Sequence, residues 1–174
     1  MAASAAAQAE GEISDRVRSE LGSITLQDRL RSQHGKHLVV DLGAAGTVEG
    51  VLCQVGSGWV GLEHNRSQVL AVLPHVASIK GMDRFAAGRS GAVQLGVAAA
   101  LRSIARDRAA VAVRCGGVGA GKALHGIIDR VGRDFLELAA VPDGQARRTG
   151  NVTGVYVVPM GSVAAVLTRD PGWD

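Results

Sequence analysis

Apolar residues in this chain fall in short runs of alternating or continuous hydrophobes, broken by Gly, Ser and Asn, and the same order of runs occurs twice. Setting Gly50 against Gly126 aligns residues 50–62 with 126–138 without a gap. Gly50/Gly126, Val55/Val131, Gly56/Gly132 and Leu62/Leu138 are identical, and Val51/Ile127, Leu52/Ile128, Trp59/Phe135 and Val60/Leu136 keep their chemical class. Upstream, Leu38-Val39-Val40 matches Val111-Ala112-Val113; downstream, Val72-Leu73-Pro74 matches Val157-Val158-Pro159. Two copies of one unit follow, near residues 37–81 and 110–167.

The β-branched content of these runs and their turn residues predict five short strands per copy. In the first copy they fall at about 37–42, 47–55, 58–63, 68–73 and 76–80. Gly50 and Gly126 lie mid-strand, where glycine permits a sharp bend or a close backbone approach. Helical spacing precedes each copy, through Ile24, Leu26 and Leu30 and then Val97, Leu101 and Ile104. The fold class predicted is mainly β with helices (α+β): two tandem five-stranded Sm-like or SH3-like barrels, each preceded by a helix. The expected plan is a disordered stretch at 1–11, helix plus first unit at 12–81, a linker at 82–92, helix plus second unit at 93–168, and a tail at 169–174.

Composition adds constraints. The chain has 174 residues, 47% of them hydrophobic but only 3% aromatic, so Val, Leu, Ile and Ala must fill the core. A net charge of +3 permits nucleic-acid binding without demanding it. Cys53 and Cys115 have no second Cys near either, so neither a zinc pair nor a disulfide framework is indicated, and both read as buried free thiols of a reducing cytoplasm. No secretory leader and no long apolar run is found, so the expectation is a cytoplasmic protein without membrane contact.

A helix, five short strands and a glycine in the second strand together resemble the Sm-like fold of Sm, LSm and Hfq proteins. The likeness rests on Val48-x-Gly50-x-Leu52 and Leu124-x-Gly126-x-Ile128, on the hydrophobes Trp59 and Phe135, and on the paired runs Ser67 to Leu73 and Val76 to Ile79. Where Sm proteins place an Asp and an Asn to hold a base, this chain has Gly56 and Val60, then Gly132 and Leu136. The resemblance implies strand edges that pair, here between the two units and in a further homo-oligomer such as a six-unit ring. The stretches Leu101 to Arg108 and Asp129 to Leu138 also look like a family of uncharacterised actinobacterial proteins, some labelled Fis-type regulators. A Fis-type helix-turn-helix would need a helical C-terminus, whereas Val155 to Pro159 and Ser162 to Leu167 read as strands.

Candidate chemistry is sparse. Gly116 to Ala123 approaches a P-loop, but Ala123 stands where Ser or Thr binds magnesium, and a strand is expected where the nucleotide needs a helix. A hairpin insertion is the better reading, and no cofactor is expected. The histidines, of which only His34 and His37 are close in sequence, suggest no metal site, and no serine has the setting of a nucleophile. The remaining candidates are Arg66, Arg130, Arg133, Arg147 and Arg148, in loops and strands where guanidinium groups can meet phosphates or bases. The first expectation is thus a non-enzymatic protein binding RNA, or else DNA; the second is a protein-interaction or regulatory scaffold without direct nucleic-acid binding.

Overall fold

The computed structural model describes residues 21–84, 94–117, 123–142 and 148–168, with Ile13 and Arg16. Helices α1 (Leu26–Arg31) and α2 (Val97–Arg106) each precede a run of five strands. The first run is β1 (His37–Asp41), β2 (Thr47–Gly56), β3 (Trp59–His64), β4 (Ser67–Val72) and β5 (Ser78–Lys80). The second is β6 (Ala110–Cys115), β7 (Leu124–Val131), β8 (Phe135–Ala140), β9 (Gly154–Pro159) and β10 (Val163–Thr168). The expected first-copy strands are present within two residues. The expected disordered N-terminus, most of the linker and the tail lie outside the described residues.

The ten strands form one antiparallel sheet in the order β5-β1-β2-β3-β4-β10-β6-β7-β8-β9. This corrects the expectation of two closed five-stranded barrels. Each half keeps its own order, last strand beside first, but β5 pairs only with β1, and the outer edge of β4 is occupied by β10. The edge-to-edge contact expected between the halves is therefore this junction, with Val69, Leu70 and Ala71 opposite Leu167, Val166 and Ala165.

The reason for one sheet is visible in the alternation of these two strands. Successive side chains point to opposite faces. On β4, Val69 and Ala71 enter a core built by the first half, while Leu70 and Val72 enter a core built mainly by the second. On β10, Ala165 and Leu167 go to the first core and Val166 to the second, while an irregularity of the ladder between Val163 and Ala165 lets Val163 reach the second core and Ala164 the first. A strand apolar on both faces needs cover on both, which a junction between two cores supplies.

Helix α2 ties the halves further. Its Leu101 is fully buried beside Trp59, which belongs to the first half by sequence yet packs in the second core. The Trp59 indole Nε1 donates to the Leu95 carbonyl just ahead of α2 at 2.8 Å. Helix α1 begins with a capping box in which the Asp28 amide donates to Thr25 Oγ1, and the Asp28 carboxylate accepts from the Thr25 amide, each at 3.1 Å. It buries Leu30 in the first core and leaves Leu26 exposed.

The repeated glycines have two distinct jobs. A methyl on Gly50 would lie 2.6 Å from the Glu63 carbonyl oxygen, and one on Gly126 would collide with that of Ala139, so the partner strand crosses too closely for any side chain. Next to each glycine the ladder carries a bulge, between Leu52 and Gln54 and between Ile128 and Arg130. Bulges bend and twist a strand. A methyl on Gly56 or Gly132 would instead collide with the ring of Trp59 or Phe135, so these glycines make room for the aromatic residue three positions later.

The downstream part of the repeat alignment is corrected by two residues. The Leu73 amide donates to Gly58 and the Met160 amide to Asp134, at the same point of each half, so Val72 corresponds to Pro159.

Candidate functional site

The predicted arginines are not gathered at one place. Arg66 sits in the tight β3–β4 turn, where it and Asn65 both take positive φ, and its side chain is exposed. Arg130 on β7 faces Glu137 across the β7–β8 ladder, Nε to Oε2 3.7 Å. Arg133 lies exposed in the β7–β8 turn, whereas Arg148 lies exposed in the connection at the far end of β8. A six-residue strand separates those two, roughly 20 Å of chain at 3.3 Å per residue. Arg147 lies outside the described residues.

What sequence reasoning missed is that α2 adds an arginine to the β7–β8 turn. Arg102 donates to the Gly132 carbonyl at 3.1 Å through Nη2, one residue from Arg133, and Arg106 follows one helical turn later. Arg108, just past the helix, pairs with Asp129 at 3.1 Å. The helical spacing of Arg102 and Arg106 was legible, but the placement of Arg102 over this turn depends on how α2 packs. Asp107, Asp129, Asp134 and Glu137 belong to the same segments, so the patch is interleaved and only weakly positive.

The loop resembling a P-loop lies between β6 and β7, and these strands pair antiparallel, so a strand follows it. Residues 118–122 of it lie outside the described set. Among the described residues, no three His, Cys, Asp or Glu side chains are grouped to hold a metal, and no helix is long and apolar enough to cross a membrane.

The thiols correct another expectation. Cys53 is exposed and Cys115 half-buried, and neither is in a disulfide. Partial burial still raises the Cys53 pKa, helped by the Glu63 carboxylate, and burial raises that of Cys115. The Cys53 thiol donates to the Gly61 carbonyl at 3.3 Å. Raised values keep both as thiols, the less reactive form.

At the junction, a cleft of about 320 Å³ opens between the start of β2 and the β4–β10–β6 face. Val69, Leu167 and Ala112 form an adjacent row in the sheet that floors it. Its polar rim includes Glu49 and Arg114, the latter fixed by donating to the Thr47 carbonyl at 2.9 Å.

The most distinctive surface is the edge strand β9. Val155, Tyr156 and Val157 are 56%, 46% and 65% exposed, and only Val158 of that run is buried. Consecutive strand residues alternate faces, so these three present apolar surface on both sides of the sheet. No charged residue or histidine occurs from Thr149 to Thr168. The opposite edge, β5, is three residues long and ends at exposed Lys80. Short length and lysine are features that protect an edge from pairing; β9 has neither, although Pro159 at its end limits any pairing to the residues before it. No family model, no curated protein and no solved structure matches the chain.

Proposed function

We propose that the protein is a non-enzymatic interaction scaffold whose working element is the open edge of β9, which takes a strand from a protein partner. The observation that carries this reading is the exposed, charge-free triplet Val155-Tyr156-Val157 on an edge strand. Strand addition draws affinity from main-chain hydrogen bonds and specificity from alternate side chains, and β9 offers both. The test is capture on immobilised protein of proteins from the cells that make it, comparing wild type with Val157→Lys. Partners retained by wild type and lost with the variant support the reading. Identical capture by the two, with no self-association of the wild type, overturns it.

A second reading, binding of RNA or DNA, is favoured by Arg102 of α2 joining Arg130 and Arg133 near the β7–β8 turn. Opposite charges interleave with them, so weak and strongly salt-dependent binding is expected. Filter binding at low salt, lost on Arg102→Ala/Arg133→Ala, supports it; no retention of RNA or DNA at low salt removes it.

A further inference from the structure

We infer that the partner strand of β9 is β9 of a second copy, giving a two-fold symmetric dimer in which the two ten-stranded sheets become continuous. This rests on the scaffold reading above and names its partner.

β9 occupies in the second half the place of β4 in the first: each follows the third strand of its half, and each leads into a turn whose amide returns to the β2–β3 or β7–β8 turn, Leu73 to Gly58 and Met160 to Asp134. The outer edge of β4 is filled by β10, and that pairing lets both apolar faces of β4 be buried. The equivalent edge of β9 has the same two-faced apolar character and, among the described residues, no strand beside it.

Two candidates could fill it from a second copy. Copying the internal junction would lay β5 of the next molecule on β9. Residue for residue, this sets Tyr156 opposite Lys80, Val157 opposite Ile79 and Val158 opposite Ser78, because Leu70–Val166 is the template. Such a seam is three residues long, brings a lysine and a serine to an apolar strand, and leaves Val155 uncovered. β10, by contrast, presents six residues that are almost all apolar. β5 therefore lacks the chemistry that makes the internal junction work.

β9 itself supplies it. Antiparallel pairing, the orientation of every ladder in the sheet, places Tyr156 opposite its copy and Val155 opposite Val157 when the two-fold axis passes through the centre of the exposed triplet. One face then carries the tyrosine pair and the other two valine pairs, and cross-strand aromatic and β-branched pairs are stabilising. The seam contains no charge, and Pro159, which has no amide hydrogen, marks its end. An isologous contact of this kind closes at two copies.

Sedimentation equilibrium of the full chain tests this. The expected result is a monomer–dimer equilibrium between 17.9 kDa and twice that mass. Val157→Lys, exposed and so compatible with folding as checked by circular dichroism, should raise the dissociation constant on the order of a hundredfold, because two lysines are brought into an apolar seam. In a Cys53→Ser/Cys115→Ser background, Tyr156→Cys alone should form a disulfide-linked dimer under mild oxidation, since directly opposed strand residues lie within disulfide reach. A strict monomer at millimolar concentration overturns the dimer, as does a dimer untouched by Val157→Lys. Growth into rings or filaments, cross-linked by Tyr156→Cys only together with Lys80→Cys, overturns the two-fold arrangement. A monomer that still captures a foreign protein sensitively to Val157→Lys overturns self-pairing and leaves the scaffold reading standing.

Discussion

Leu70 on β4 stands opposite Val166 on β10, and both side chains enter the core that lies mostly beneath the second half of the chain. A residue from the first copy of the repeat thus stabilises the second copy. Leu70→Ala is expected to cost about 2–5 kcal/mol, the range for truncating a buried leucine. In a Trp173→Phe background, denaturant unfolding followed by Trp59 fluorescence and by far-ultraviolet circular dichroism should remain one coincident transition shifted to lower denaturant. Two separated transitions, only one of them moved, would show that the halves fold apart.

The glycines ahead of the aromatic residues predict a compensating pair. Gly132→Ala puts a methyl into the Phe135 ring. It should destabilise by about 1–3 kcal/mol through overpacking. Phe135→Leu in the same chain should recover part of that loss, so the double variant costs less than the sum of the two singles. Additive costs would mean that Gly132 serves some purpose other than making room for the ring.

Arg114 reaches across the junction to the Thr47 carbonyl. Arg114→Ala removes one hydrogen bond from a partly exposed group and should cost about 0.5–1 kcal/mol, the lower part of the usual range. The denaturant midpoint should fall with an unchanged slope.

The thiols give a pH dependence with a defined sign. Folded Cys53 and Cys115 hold their protons more tightly than free cysteine does. The stability this adds is fully present below the ordinary thiol pKa of about 8.5 and is lost as pH rises through the folded values. Cys53→Ser/Cys115→Ser should therefore flatten the alkaline side of the stability profile. Iodoacetamide should modify native Cys53 more slowly than a cysteine peptide at pH 8, although the residue is exposed. Equal rates would contradict the raised value.

Much of the local structure was legible. Period-two alternation placed the strands, and the matched glycines marked the bends, because both signals are written within a few residues. The sharing of one sheet was not. Val69-Leu70-Ala71-Val72 reads as a strand buried on both faces, but which bodies cover those faces depends on the β4–β10 contact between residues about a hundred apart. The basic loops were visible one by one, while the addition of Arg102 required the docking of α2. The open edge was hidden for a similar reason: Val155-Tyr156-Val157 has the composition of a buried strand, and only the strand order leaves β9 at the border.

Amide hydrogen exchange followed as a function of protein concentration tests the account most directly, because it reads the inner junction and the open edge in one experiment. The amides of Val69 to Val72 should be protected equally at every concentration, with protection approaching the global stability. Protection within Val155 to Val158 should rise with concentration as β9 finds a second copy. Concentration-independent exchange along β9, or weak protection along β4 in dilute solution, would contradict the account.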